Sequence, residues 1–182
     1  MTDFPVHTLE TAPERSKPAL KQLQAAFGMI PNLLGSMATS PVLINSLVGL
    51  FGNVHGGSFM EAEVQIVLLT DAVTNKAAWA VAFHTALALK EGIDPADVAA
   101  IREGKLPKDA KFAALSGLAK TMIENRGRLD DADLRPFLAA GFGKDLALEV
   151  IAIVAASTIT NYTASITKPP VEAMFRDHKW EG

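Results

Sequence analysis

Cysteine is absent from all 182 residues of the chain. Disulfide bonds, thiolate catalysis and cysteine-ligated metals are therefore excluded. The four histidines are far apart, and none belongs to a His-x-x-x-His or Glu-x-x-His pair of the kind that binds metal on a helix. Nucleotide-binding glycine loops and the Gly-x-Ser-x-Gly nucleophile motif are missing as well. We therefore predict no metal and no cofactor.

Positive charge and long apolar runs are also scarce. Seventeen Lys and Arg against 20 Asp and Glu give a net charge of −3, which offers no basic surface to nucleic acid or anionic lipid. The longest apolar run, 146–156, is interrupted by Glu149 and is too short to cross a bilayer. The N-terminus lacks the basic and apolar regions of a secretion signal. We expect a cytoplasmic protein with no nucleic-acid or membrane partner.

Alternating strand patterns are nearly absent, whereas helix signals recur along the chain. Ser58 and Glu61 form a capping-box pattern that predicts a helix from about Phe59 to Val73. The last predicted helix, 144–167, is apolar on all sides and should therefore be central. We predict an all-α bundle of about eight helices that forms one domain over residues 1–182.

One predicted helix carries a histidine among small apolar residues, in the stretch TNKAAWAVAFHTALALKEG, residues 74–92. Ala77, Ala80 and His84 fall on one stripe of this helix, so the imidazole reaches back over methyl groups and space should remain beside it. The preceding helix should pack antiparallel, since the turn between them is short. It brings three polar residues near the histidine: Glu61, Glu63 and Gln65.

Each of these residues also has a purely structural interpretation. A lone histidine on an apolar face is most often a core residue whose ring nitrogens have partners. Tyr162, beside Asn161 in the last helix, fits either the core or the wall of a pocket. Trp79 is more often a packing residue than a catalytic one. His55, in NVHGGS, lies near a possible pocket mouth but fits a solvated loop better.

Several short motifs carry a resemblance to a known family. They are FGMIPNLL, SPVL, a helix that opens with glutamates, and an asparagine nine residues before His-Thr-Ala-Leu. The late segment LEVIAIVAASTITNYTAS, with Asn161, extends the match, which covers about residues 11–167. In order and spacing the sequence resembles the peroxidase-related branch of the carboxymuconolactone decarboxylase and alkylhydroperoxidase D-like family.

The resemblance implies a redox site that this chain has lost. Redox-active members carry a glutamate, a Cys-x-x-Cys pair twelve residues later, and a histidine four residues after the second cysteine. These positions correspond here to Gln65, Ala77, Ala80 and His84. Alanine can neither attack a peroxide nor form a disulfide, so we predict no thiol peroxidase activity. The methyl-lined gap beside the histidine lies where the dithiol would be.

Two function classes stay open at this stage. The first is a small-molecule-binding or non-catalytic homo-oligomer, a dimer or larger, as the resemblance implies and a 49% hydrophobic composition suits. The second is a non-redox acid–base enzyme, of decarboxylase or isomerase type, with His84 and Gln65 as catalytic residues. Against the enzyme, the nearest cation, Lys76, lies off the stripe. In either case we expect a pocket that touches His84, Gln65 and Ala80. Its other candidate lining residues are Ala77, Trp79, Asn161 and Tyr162.

Overall fold

The fold of residues 3–182, taken from a computed structural model, consists of nine α-helices and two short 3₁₀ segments, with no strand in that range. The α-helices are α1 (Lys17–Phe27), α2 (Asn32–Met37), α3 (Pro41–His55), α4 (Glu61–Thr74), α5 (Ala78–Lys90), α6 (Pro95–Arg102), α7 (Ala110–Glu124), α8 (Asp131–Ala139) and α9 (Lys144–Thr167). The 3₁₀ segments are Glu14–Ser16 and Ala173–His178. All the α-helices except α2 are longer than six residues, so the predicted all-α bundle of about eight helices is confirmed.

The central helix of the bundle is α4. Every residue from Glu63 to Ala72 is buried, and the helix packs against α5, α7 and α9. Its start differs from the predicted capping box. The backbone N–H and the hydroxyl of Ser58 both donate to Glu149, at 2.9 and 2.6 Å, so this serine does not cap the helix. The Glu63 carboxylate accepts from the N–H of Met60 instead, at 2.9 Å.

The turn between α4 and α5 places the helix that carries the histidine. Lys76 adopts a left-handed conformation with φ of 54°, which reverses the chain direction. The N–H of Ala77 then donates to the carbonyl of Ala72, at 2.9 Å. Since Ala77 is the N-cap of α5, the two helices lie side by side from their first turn.

The last helix, α9, is not the fully buried helix that its composition predicted. One side packs against α2, α3, α4, α5, α7 and α8. The other side exposes large apolar residues at helical spacing: Leu148, Ile151, Tyr162 and Ile166. Within residues 3–182, α9 alone is long and apolar enough to cross a membrane by length and composition.

The segment after α9 folds back across α2 and α5. The buried carboxylate of Glu172 accepts from the backbone N–H of Asn32, at 2.6 Å, and from Nε1 of Trp79, at 3.1 Å. The Arg102 guanidinium donates to the carbonyls of His178 and Lys179, at 3.0 and 2.8 Å. The Glu172 bond holds the Trp79 indole, and the Arg102 bonds hold the end of the segment against α6.

Candidate functional site

A cavity of about 490 Å³ lies between α1, α3, α4 and α5. Its volume is in the range of sites for small organic molecules. The wall is largely apolar and includes four aromatic rings: Phe27, Phe51, Trp79 and Phe83. The rings of Trp79 and Phe83 are stacked with centroids 5.0 Å apart, and Phe27 meets Phe83 edge-on at 5.6 Å. This arrangement suits a flat apolar molecule.

A chain of four polar side chains crosses the cavity wall from the interior to the surface. Nδ1 of His84 lies 3.0 Å from Oε1 of Gln65. Nε2 of Gln65 donates to Oε1 of Glu61, at 2.7 Å. Oε2 of Glu61 lies 2.9 Å from Nδ1 of His55. His84 and Gln65 are buried, whereas Glu61 and His55 are partly exposed, so the chain links a buried imidazole to an exposed one.

The hydrogen bonds among these four side chains determine which of their atoms carry protons. An ionised carboxylate only accepts, so the amide NH₂ of Gln65 faces Glu61 and the amide oxygen faces His84. That oxygen also only accepts, so Nδ1 of His84 must carry the ring proton. Nε2 of His84 is then a hydrogen-bond acceptor on a residue that lines the cavity, and the side-chain bond of the ring within residues 3–182 is the one at Nδ1.

The environment holds His84 neutral and Glu61 charged. Burial lowers the pKa of His84 to about 3, and nearby His55 also lowers it, while the charge of Glu61 opposes the shift. The pKa of Glu61 is lowered by the hydrogen bond from His55 and, after the opposing effect of burial, by that from Gln65. At neutral pH the inner end of the cavity therefore presents an uncharged imidazole beside an ionised carboxylate.

Three of the predicted pocket residues line this cavity, and two alanines do not. His84, Gln65 and Trp79 belong to its wall. Ala77 and Ala80 are buried in the main hydrophobic core, outside the lining. The prediction that the pocket touches them is wrong because the cavity opens on another flank of α5, along Trp79, Phe83 and Leu87. The space beside the two methyl groups is taken up by the core.

The predicted pocket residues on α9 are also outside the cavity. Tyr162 is 61% exposed, so it belongs to neither the core nor the pocket wall. Asn161 is buried, and its Nδ2 donates to Oγ of Ser157, at 3.1 Å. The cavity is reached instead by Thr160. Successive helical residues point about 100° apart, so a shift of one residue changes the face.

Other wall residues were missed or misinterpreted in the sequence. His55 is the last residue of α3, paired with Glu61 and stacked on Phe51 with centroids 5.4 Å apart, so it is not a loop residue, although its side chain is partly exposed. The cation at the cavity opening is Lys90, not Lys76. The sequence did contain a signal for Lys90: it follows Leu87 by three residues, so both side chains lie on one face of α5. Within residues 3–182, no group of three His, Asp or Glu could hold a metal ion.

No family model and no curated protein matches this sequence. Solved structures match over almost the whole chain. An uncharacterized peroxidase-related protein from Ralstonia eutropha, described as an alkylhydroperoxidase AhpD core, has a TM-score of 0.82 at 18% identity and covers 94% of this chain and 93% of its own. A second peroxidase-related protein, from a Silicibacter species, has a TM-score of 0.79 at 20% identity, with coverages of 95% and 92%. The chain has the alkylhydroperoxidase D-like fold.

A third structure with this fold contains a bound molecule. It is a variant of the debrominase Bmp8, with one cysteine replaced by alanine, in complex with 2,3,4-tribromopyrrole. Its TM-score is 0.78 at 16% identity, and it covers 98% of this chain and 95% of its own. The resemblance predicted from sequence motifs is thus confirmed at the level of the alkylhydroperoxidase D-like fold. On this fold the present chain carries alanine at positions 77 and 80.

Proposed function

We propose that this protein binds a small organic molecule in the cavity beside His84 and has no thiol peroxidase activity. The observation that carries the proposal is the cavity itself, about 490 Å³ with aromatic walls and a polar inner end. A concave, largely apolar volume of this size with a few placed polar groups is the usual form of a ligand site. The absence of cysteine removes the thiolate that peroxide reduction on this fold would need.

The acid–base alternative has weaker support. With a pKa of about 3, His84 is a poor base at neutral pH and holds no proton to donate as an acid. The Gln65 amide stands between His84 and the Glu61 carboxylate, and an amide does not pass a proton readily. The ionised Glu61 would also repel a carboxylate substrate. These features favour binding over proton transfer.

The debrominase complex adds support to this proposal. In that protein, a fold like this one holds a small aromatic molecule although a cysteine has been replaced by alanine. A protein with this fold can therefore bind a small molecule without that thiol. The aromatic wall around Trp79 and Phe83 is suited to a molecule of similar size.

We expect Gly52→Phe to weaken binding of indole, a probe of suitable size, at least tenfold. Gly52 lines the cavity, and a Cβ at this position meets no atom within 4 Å, so the new ring can enter without a backbone clash. Burial of the ring in the apolar cavity is favourable, and the ring then occupies the volume that the probe needs. Isothermal titration calorimetry at neutral pH measures the change.

The matched control for this variant is Gly49→Phe. Gly49 lies on the same helix and is equally free of neighbours, but it does not line the cavity. Both variants replace a helical glycine, so both should fold at least as stably as the natural chain. Equal indole affinity in the two variants would show that the probe binds elsewhere and would contradict the proposed site.

We also propose that the protein is a homodimer formed through α9. Four exposed large apolar residues recur on its outer face at helical spacing: Leu148, Ile151, Tyr162 and Ile166. Such a stripe is typical of a surface that is covered by a partner.

A cytoplasmic location stays a prediction from the sequence.

A charge in the α9 stripe should dissociate the dimer. We expect Ile151→Glu to give a monomer near 19.3 kDa by light scattering at micromolar concentration, because burial of an unpaired carboxylate in an apolar interface is costly. Val42→Glu is the control, since Val42 is an exposed apolar residue on α3, outside the stripe. A natural chain that is already monomeric would contradict the proposal.

A further inference from the structure

The polar atoms at the inner end of the cavity are mainly hydrogen-bond acceptors. Nε2 of His84 is unprotonated, since the ring proton is on Nδ1. The Thr160 hydroxyl uses its proton in a bond to the carbonyl of Ser157, at 2.8 Å, so its oxygen is left to accept. Both oxygens of Glu61 already accept, from Gln65 and His55. The second amide N–H of Gln65 is a donor that is left over.

Whether Nε2 of His84 accepts or donates a hydrogen bond depends on Glu61. The Glu61 carboxylate turns the NH₂ group of Gln65 toward itself and so turns the amide oxygen toward His84. If Gln65 were reversed, its NH₂ would face Nδ1, and the ring proton would move to Nε2. The cavity would then offer a donor in place of an acceptor. A residue two hydrogen bonds away therefore sets the polarity of the ligand site.

We propose that the ligand is an uncharged, largely apolar molecule with an N–H or O–H group that donates to Nε2 of His84, and that Glu61 is the positioning residue for this selectivity. The inference rests on the proposed function and deepens it. An anionic group at this end would meet the ionised Glu61, and an acceptor-only molecule would leave Nε2 of His84 buried without a partner. An unsatisfied buried polar atom weakens binding more than a missing contact alone.

The test compares two probes of almost identical shape, indole and benzofuran. Indole carries an N–H where benzofuran carries an oxygen that can only accept. We expect the natural protein to bind indole about tenfold more tightly than benzofuran in calorimetry at neutral pH. In Glu61→Gln, the new amide can donate to Gln65 and let it reverse, so the preference should vanish or invert. Glu124→Gln, which removes an exposed charge away from the cavity, should retain it.

A spectroscopic readout separates positioning from a general structural effect. Nitrogen-15 NMR of the His84 ring should show the proton on Nδ1 in the natural chain and on Nε2 in a substantial fraction of Glu61→Gln. Equal affinities for the two probes, both weakened by Gly52→Phe, would overturn this inference and leave the proposed function intact. An indole preference that persists in Glu61→Gln, with the ring proton unmoved, would overturn the role of Glu61. Failure of both probes to bind would overturn the proposed function itself.

Discussion

Cysteines at positions 77 and 80 are expected to give this protein a dithiol reaction with hydroperoxides, for which the natural chain has no cysteine. Ala77 is the N-cap of α5, where the helix dipole lowers a thiol pKa and favours the thiolate. Residues three apart at a helix start have Cα atoms about 5 Å apart, within disulfide range. Ala77→Cys with Ala80→Cys should therefore form a working dithiol.

The expected chemistry is a single turnover. One thiolate attacks the peroxide O–O bond, which releases the alcohol and leaves a sulfenic acid. The second thiol displaces water from that sulfur and forms the disulfide. Without a reductant, one equivalent of cumene hydroperoxide should be consumed per chain, with loss of both free thiols. Because both positions are buried, the endpoint is a better measure than the rate.

A third substitution tests the carboxylate that the resemblance places at position 65. Gln65→Glu in the dithiol variant supplies a base beside His84 and should raise the rate of oxidation roughly 100-fold. The matched control carries Ala77→Ser and Ala80→Ser, which are similar in size and inert to peroxide. If the dithiol variant keeps two free thiols under excess hydroperoxide, positions 77 and 80 do not correspond to the redox pair.

Acid should destabilise the natural protein through the buried ring of His84. Its pKa is about 3 in the folded chain and 6.5 in an unfolded one, so the unfolded state binds the proton first as pH falls. Stability from the neutral ring is complete above pH 6.5 and is lost progressively toward pH 3. By pH 4 the loss should reach about 3 kcal/mol.

Substitution of the ring isolates this effect. We expect His84→Gln to show a shallower fall in the free energy of unfolding between pH 6.5 and 4, measured by urea denaturation. His55→Gln is the control: it removes a partly exposed histidine and leaves His84 in place, so the steep fall should persist. Identical pH profiles in the natural chain and His84→Gln would mean that the ring is solvated and free to protonate.

Local patterns in the sequence were sufficient to predict the core of the site. Helical spacing placed His84 on the face of α5 toward α4, and the short turn between the helices brought Gln65 to it. Both steps depend on residues close in the chain, where helix geometry fixes the distances. The observed separation of 3.0 Å between Nδ1 and Oε1 is consistent with that reasoning.

The parts that sequence patterns did not give depend on distant contacts. Ser58 was expected to cap α4, but its partner is Glu149, 91 residues away. Apolar composition predicted a central α9, yet the fold gives the central place to α4 and leaves Tyr162 exposed. Composition indicates how much apolar surface a helix has, but not whether that surface is buried within the same chain. The cavity wall likewise joins helices whose pairing no local pattern encodes.

The central claim, that a small uncharged donor binds beside His84, is tested most directly by a crystal structure of the natural protein with 5-bromoindole. Anomalous scattering from bromine locates the probe without bias. We predict one dominant peak inside the cavity lined by Trp79 and Phe83, with the indole nitrogen about 3 Å from Nε2 of His84. A cavity without bromine in crystals that carry the probe on their surface would contradict the account.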